Sequence, residues 1–150
     1  MHMQGTPRTM QRHPHYDDVV ADVHGFVLDR ARRALDAGVP EVWVDPGIGF
    51  GKTPAHNLRL LRHLPDLVAE GIPVLVGVSR KSFLGRVAPD AGGQAPAADE
   101  RLAASLGVAT WAMAAGCAMV RAHDVAATVQ AATLVGAHTG VVGELAGVAR

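Results

Sequence analysis

Apolar side chains recur every three to four residues along residues 16–37, which is the spacing of an amphipathic helix. Gly38 follows directly, where many helices end in a glycine with left-handed backbone geometry. Residues 54–69 carry leucines at the same spacing, although Pro65 should disturb the last turn. The pattern therefore predicts two amphipathic helices in the first half of the chain.

Two segments that flank the second helix are apolar without helical spacing. Residues 39–45 are rich in β-branched and aromatic side chains and end in a Pro-Gly turn directly after Asp45. Residues 72–78 form a continuous apolar run after Gly71, which is typical of a strand covered on both faces of a parallel sheet. We predict one strand in each segment.

The second half of the chain continues this alternation. Glycine and proline mark residues 88–98 as a flexible loop. Asp99 is suited to cap a third helix, and residues 118–121 are predicted to form a short strand. A last helix is expected after Asp124, followed by a weakly helical end over residues 140–150.

Strands that alternate with helices are joined by right-handed crossovers into a parallel sheet, so the predicted fold class is α/β. A doubly wound sheet and a (β/α)8 TIM barrel both fit this order. Polar residues follow the predicted strands at Asp45, 79–82 and 121–124, which favours the barrel, because barrel active sites lie at that rim. Eight strands make a barrel, and only three complete strands are predicted here, with residues 1–3 as the end of a fourth. We therefore expect a partial barrel.

Composition adds limits to this interpretation. The 150 residues are 49% hydrophobic, which suits one domain over residues 1–150 with a substantial core. The 14 basic and 14 acidic side chains cancel, so nothing in the overall charge favours nucleic acid or an anionic membrane. The single cysteine, Cys117, excludes a disulfide framework, and no apolar run is long enough to span a bilayer. We expect a cytoplasmic protein in which any bound anion is held by local groups.

The first candidate cluster, residues 45–53, joins the strand-end carboxylate of Asp45 to a glycine-rich loop that a flat ligand or a phosphate can approach. It is not a Walker A motif, because Pro46 stands where the first glycine must be. It is not the dinucleotide fingerprint either, because Lys52 replaces the third glycine. A loop whose glycines only shape a turn remains the simpler alternative.

The second cluster places Arg80 and Lys81 between Ser79 and Ser82, directly after the continuous apolar strand. Two cations beside two hydroxyls can bind a carboxylate or a phosphate, and a solvated charge pair is the alternative.

In the third cluster, Arg121 and His123 lie two residues apart and so face the same side of an extended strand end. Together with the N-terminus of the next helix they predict a diphosphate pocket. His13 and His15 lack further ligands nearby, so we do not predict a metal site there.

Four segments, 1–11, 45–52, 79–82 and 121–125, occur in the order and spacing of the dihydropteroate synthases. The chain therefore resembles the C-terminal half of this pterin-binding family over essentially all of its length. The resemblance implies the second half of a (β/α)8 barrel, from the end of the fifth strand to the last helix. It also implies a transferase of folate biosynthesis, which condenses 6-hydroxymethyl-7,8-dihydropterin diphosphate with 4-aminobenzoate and releases diphosphate.

The resemblance also implies roles for residues in the pterin pocket. Asp45 is expected to hydrogen-bond the amino-pyrimidine edge of the pterin, and Lys81 to reach its carbonyl and ring nitrogen. Phe50 and Met1 are expected to line the same pocket.

The remaining implied roles concern the second substrate and the leaving group. Ser82, with Arg80 nearby, is expected to meet 4-aminobenzoate, and Arg121 with His123 to hold the diphosphate. Lys81, Arg121 and His123 are thus the expected catalytic residues.

The family's first half, which holds Mg2+ through an asparagine and supplies further pterin contacts and two mobile loops, has no counterpart in this sequence. The resemblance thus implies Mg2+ as a cofactor whose protein ligand is absent from this chain. We expect a fragment with little activity alone, which forms a homodimer or pairs with a complementary half. Two other functions stay open: an inactive truncated remnant or interaction module, and a methyltetrahydrofolate-type pterin methyltransferase.

Overall fold

The computed structural model describes residues 1–139 of the chain, and the predicted weakly helical end at residues 140–150 lies outside this part. Six α-helices, one 3-10 turn and two strands alternate in it. In chain order they are α1 (Val19–Asp36), α2 (Pro54–Arg62), α3 (Leu64–Ala69), β1 (Leu75–Gly77), α4 (Ser82–Val87), the 3-10 turn Asp99–Arg101, α5 (Leu102–Ala114), β2 (Met119–Arg121) and α6 (Val125–Thr139).

A small parallel sheet lies at the centre of the fold. β1 pairs with β2 in a parallel register that sets Gly77 opposite Arg121. On the other side of β1, Val44 forms a parallel bridge with Val74, so the three predicted strand segments are neighbours in chain order. This arrangement brings the carboxyl ends of all three segments to one edge of the sheet, and it confirms the predicted α/β class.

The regular strands are shorter than the apolar runs that predicted them. Residues 39–45 contribute one bridge, in which the Val44 N–H donates to Pro73 O and Val44 O accepts from Leu75. Two hydrogen bonds to one neighbour are too few for a regular strand, although the backbone runs in the predicted direction.

The predicted single helix over residues 54–69 was wrong, because the structure has two helices that meet at His63. α2 begins with a capping box at Thr53 and ends at His63, while α3 carries Pro65 in its first turn. Proline lacks a backbone N–H and fits the first turn of a helix, where that group has no intrahelical partner. Leucines from both helices are buried in the core, and their spacing therefore predicted one continuous helix. These leucines are Leu60, Leu61, Leu64 and Leu67.

The start of α5 also differs from prediction. Asp99 opens a single 3-10 turn, and no side chain caps that turn or α5. α4 was not predicted, because six residues that include two polar groups and a glycine show no clear period. The core itself lies between α1, α2, α3 and the sheet, where Val23, Leu64 and Val76 are fully buried. Within residues 1–139, no helix is both long and apolar enough to cross a membrane.

Candidate active site

The glycine-rich loop after Asp45 is held by side chains from three directions. Asp45 Oδ1 accepts a 2.7 Å hydrogen bond from the Gly47 N–H, which closes a tight turn. The buried Asn57 of α2 accepts a 2.7 Å bond from the Gly49 N–H through Oδ1. At Gly47 the φ angle is +68°, and a Cβ atom there would lie 1.8 Å from His2 O. Only glycine fits, because His2 O occupies the space that a side chain would need.

Lys52 fixes this loop from inside. The side chain is 3% exposed, and Nζ donates to Gly47 O at 2.9 Å and to Phe50 O at 3.0 Å. His2 Nδ1 is a third neighbour, at 3.0 Å. Burial lowers the pKa of Lys52 to about 8, against the attraction of Asp45. The sequence only excluded a Walker A lysine at position 52. The structure shows that Lys52 instead binds two carbonyl groups of the protein's own loop.

Lys81 connects the second cluster to this loop. Its Nζ donates to Ile48 O and lies 4.4 Å from the centre of the Phe50 ring. Burial lowers the pKa of Lys81 to about 8, while Asp45 raises it and Arg121 lowers it further. Lys81 therefore lies within electrostatic reach of both the first and the third clusters.

Lys81 also lines a pocket of about 400 Å3 at the carboxyl ends of β1 and β2. The lining residues are Gly77, Ser79, Lys81, Arg121, Ala122 and His123. A Cβ atom at Gly77 would lie 3.0 Å from Arg121 Nη2 and 3.1 Å from Nε, so the guanidinium lies directly across this glycine. With a lysine, an arginine and a histidine around one opening, the pocket suits an anion such as diphosphate.

Beyond the sheet, two polar pairs link the ends of β1 and β2. His123 donates its backbone N–H to Ser79 Oγ at 3.1 Å, and its Nδ1 lies 3.0 Å from the same oxygen. Arg80 donates from Nε to Asp124 Oδ2 at 3.0 Å and from Nη2 to Oδ1 at 2.6 Å. The Arg80 bond holds the pKa of the Asp124 carboxyl below its usual value. The two loops that carry the cationic groups are therefore tied together.

Arg80 has a left-handed backbone, with φ at +60°, although it is not glycine. α5 and the turn before it stabilise this conformation: the Arg80 N–H donates to Ser105 Oγ at 2.9 Å, and Arg80 O accepts from Arg101 Nη1 at 2.9 Å. A left-handed non-glycine residue costs about 1–2 kcal/mol and persists only where its surroundings fix it.

Five of the eight predicted site residues do not line the main pocket: Asp45 and Phe50 lie on the glycine-rich loop, Arg80 pairs with Asp124, and Ser82 and Met1 lie further away. Ser82 is exposed at the start of α4, next to Lys81 in the chain. Met1 is 57% exposed and lines a separate pocket of about 280 Å3, whose other walls come from α1 and residues 42–44. The structure thus brings together Lys81, Arg121 and His123, and it reaches the Asp45 loop through Lys81.

Sequence comparison bears directly on this site. Residues 1–123, which contain all three clusters and the strands that carry them, match the family described as pterin binding enzyme. The chain belongs to the pterin-binding enzyme family. It is also 46% identical over 136 residues to the dihydropteroate synthase of Neisseria meningitidis serogroup B. That alignment covers 87% of this chain and 46% of the relative, so the chain spans about half the length of the protein it matches.

Solved structures of this pterin-binding family agree with the sequence match. The Thermus thermophilus dihydropteroate synthase in complex with 6HMPPP is 44% identical, with a TM-score of 0.84 over 93% of this chain and 54% of that one. The same synthase in complex with 4-aminobenzoate superimposes with a TM-score of 0.82 over 90% of this chain and 53% of that one, also at 44% identity. The fold described above therefore superimposes on about half of the Thermus thermophilus synthase.

Proposed function

We propose that this chain is the C-terminal half of a dihydropteroate synthase barrel, from the end of the fifth strand to the last helix, and that it acts in the cytoplasm in folate biosynthesis. The observation that carries the proposal is the meeting of Lys81, Arg121 and His123 in one pocket, beside the loop of Asp45. A reaction that expels diphosphate needs such fixed positive groups at the leaving anion. A pterin methyltransferase has no diphosphate to bind, so this pocket favours the synthase.

In the proposed complex the pterin lies against the glycine-rich loop. Asp45 uses Oδ1 for Gly47, and Oδ2 is then the oxygen for the amino-pyrimidine edge. Lys81 reaches the carbonyl and ring nitrogen from the opposite cluster, and Phe50 lines the pterin pocket. Met1 lines the separate groove at residues 42–44, but its Cγ would lie 3.4 Å from a Cβ atom at Gly47, so we propose that it reaches the edge of the pterin pocket as well.

The chemical step follows from the two ends of the site. The bond between the pterin methylene carbon and the diphosphate oxygen breaks, and both electrons leave with the oxygen. Arg121 and His123 stabilise the leaving anion, while Lys81 orients the pterin. The amine nitrogen of 4-aminobenzoate then bonds to the methylene carbon and releases a proton to solvent.

We assign 4-aminobenzoate to the rim formed by Ser82 and Arg80. Ser82 is exposed at the start of α4 and free to rotate its hydroxyl toward a carboxylate. Arg80 uses Nε and Nη2 for Asp124, and Nη1 is the nitrogen that neither bond uses. A carboxylate at this rim would therefore meet one hydroxyl and one guanidinium nitrogen.

Mg2+, the cofactor implied by the family, does not fit a site in the described part of the chain. Among residues 1–139, no group of three or more histidine, cysteine, aspartate or glutamate side chains is arranged to hold a metal ion. The proposed mechanism therefore routes no step through Mg2+, and we place its ligand in the half of the barrel that this sequence does not contain.

We further propose that a copy of this chain or a complementary half covers the two sides of the sheet. Apolar grooves of about 280 Å3 and about 320 Å3 lie beside residues 42–44 and along β2 and α6. Trp43 in the first groove is 38% exposed, and Met119 in the second is 45% exposed. Light scattering after size exclusion tests this proposal. The proposal is contradicted if the chain is monomeric alone and stays monomeric when the N-terminal half of a related synthase is added.

Calorimetric titration with the pterin diphosphate tests the function itself. The wild-type chain should bind it, and Lys81→Gln and Arg121→Gln should each weaken binding by at least about tenfold, as expected when a charged hydrogen bond is lost. Arg33→Gln is the matched control, because Arg33 is exposed on α1 and pairs only with Asp29 among the ion pairs found. Absence of binding to wild type, or equal loss in the control, would refute the proposal.

Turnover is measured separately, as incorporation of labelled 4-aminobenzoate. The chain alone should show little activity, and activity should rise when the N-terminal half of a related synthase is added. Wild-type-like turnover by a purified monomer would contradict the proposed need for a second half.

A further inference from the structure

The parallel register of β1 and β2 continues past the end of both strands. Within the sheet, Gly77 is opposite Arg121. Two residues further along each chain, Ser79 meets His123, and the next residues, Arg80 and Asp124, meet as an ion pair. The main-chain ladder is thus replaced by side-chain contacts at the rim, where the pocket opens.

Ser79 makes an unusual contact in this extension, because both of its hydrogen bonds go to the same residue. Its Oγ accepts the backbone N–H of His123 at 3.1 Å and lies 3.0 Å from the ring Nδ1. Ser79 is 9% exposed, whereas His123 is exposed at the pocket. A buried hydroxyl therefore fixes both the backbone and the ring of an otherwise exposed histidine.

We propose that Ser79 is a positioning residue for His123, one that holds the imidazole so that Nε2 always presents a proton to the anion in the pocket. This inference rests on the proposed binding of diphosphate by Arg121 and His123. Ser79 itself does not touch the substrate in this scheme. It acts through the histidine, and the Arg80–Asp124 pair keeps the two loops together beside it.

The chemistry of one hydroxyl explains the effect. When the imidazole is neutral, the Ser79 O–H donates to Nδ1, so the ring proton must be on Nε2. When the imidazole is protonated, Nδ1–H donates to the same oxygen, and Nε2 again carries a proton. In both states Nε2 is a donor, which is the requirement for holding a diphosphate oxygen.

The test compares Ser79→Ala with Ser79→Thr, which restores the hydroxyl. Thr110→Val is the control, because it removes a hydroxyl that bonds only within α5, to Leu106 O and Gly107 O. Inorganic diphosphate is titrated into each variant at pH 7.2.

At pH 7.2, Ser79→Ala should lose about tenfold in affinity relative to wild type, because Nε2 no longer always carries the ring proton. Ser79→Thr should recover most of the loss, and Thr110→Val should show none. A loss that Ser79→Thr does not recover, or no loss in Ser79→Ala, would overturn the inference.

A second measurement does not depend on any ligand. The His123 backbone amide should exchange its hydrogen at least about tenfold faster in Ser79→Ala than in wild type, because the mutation removes its acceptor. The ring 15N shifts of the neutral form should also move away from a single Nε2–H tautomer. If wild type fails to bind diphosphate, the proposed function fails, whereas unchanged exchange and ring shifts in Ser79→Ala refute the positioning role by themselves.

Discussion

Nζ of Lys52 lies 3.0 Å from Nδ1 of His2, and both side chains are buried. The same Nζ donates to two carbonyls of the glycine-rich loop, at Gly47 and Phe50. One lysine therefore ties the first residues of the chain to the loop that carries Asp45. Loss of that lysine should affect folding as much as function.

Lys52→Met keeps the length of the side chain and removes its three hydrogen-bonding contacts. The buried carbonyl of Gly47 and the partly buried carbonyl of Phe50 then lose a donor, and we expect the free energy of unfolding to fall by about 2–4 kcal/mol. Denaturant unfolding of the variant and wild type measures this. Arg12→Met is the control, because it replaces a cation by methionine at an exposed position. It should change the free energy of unfolding by less than about 0.5 kcal/mol. An equally small effect at Lys52 would contradict the structural role.

His2 should make the protein lose stability in mildly acidic solution. Burial, followed by the charge of Lys52, lowers its pKa from 6.5 to about 4. Between those two values the unfolded chain takes up a proton that the folded chain does not, so stability falls as the pH drops from 6.5 to 4 and levels off below. The full contribution is up to about 3 kcal/mol.

The measurement is the difference between wild type and His2→Gln in unfolding free energy across that range. Glutamine keeps a polar group near Lys52 and cannot titrate, so the variant should show a flatter pH profile. His24 and His56, whose pKa values burial also lowers, contribute to both proteins equally. Parallel profiles for the two proteins would show that folding does not lower the pKa of His2.

Much of this fold was predictable because hydrophobic spacing reports which face of an element is buried. The alternation of helices with three parallel strand segments was predicted, although α4 and the division between α2 and α3 were not, and Gly38 is the expected left-handed residue after α1. Spacing does not report hydrogen bonding, which is why the break at His63 and the single bridge of Val44 were missed. Both depend on neighbours that are distant in sequence.

The site likewise contains residues that the sequence predicted and residues whose roles it did not. Lys81, Arg121 and His123 follow predicted strands, so their meeting at one edge of the sheet follows from parallel pairing. The roles of Ser79 and Lys52 were not predicted. Ser79 directly precedes the left-handed backbone of Arg80, a conformation that no sequence rule expects at an arginine.

Lys81 should make binding of the pterin diphosphate weaken in alkaline solution. Its pKa is lowered by burial to about 8, so at pH 9 only about a tenth of the free protein carries the positive charge. Affinity should fall by up to about tenfold between pH 7 and pH 9, relative to the Lys81→Arg variant, whose charge does not titrate in this range. Calorimetry at several pH values gives the two slopes. Identical slopes would exclude Lys81 as the titrating group.

Gly77→Ala tests how closely Arg121 must pack against the sheet. The new methyl carbon would lie 3.0 Å from Arg121 Nη2, which is tighter than most such contacts, so the guanidinium must shift by a few tenths of an ångström. We expect the affinity for inorganic diphosphate to fall by about tenfold, because one charged hydrogen bond is misplaced. Thermal unfolding should change little, since the displaced atoms are the end of a flexible side chain. Unchanged affinity would mean that Arg121 has room to bind from another position.

Gly107→Ala provides a contrast within α5. A Cβ atom at this helical position would meet nothing within 4 Å, and the residue is exposed. Alanine has a higher helix propensity than glycine, so stability should rise by up to about 1 kcal/mol with diphosphate affinity unchanged. A decrease in denaturation midpoint would show that α5 needs the glycine for a reason outside its own helix.

The exposed indole of Trp43, beside the groove at residues 42–44, can serve as a fluorescent reporter for this face of the sheet. Trp111, the other tryptophan of the chain, is 47% exposed on α5, where its Nε1–H donates to Leu61 O. With Trp111→Phe as background, the emission of Trp43 alone would shift to the blue and resist quenching by iodide whenever another polypeptide covered that groove. Assembly could then be followed in real time without a label.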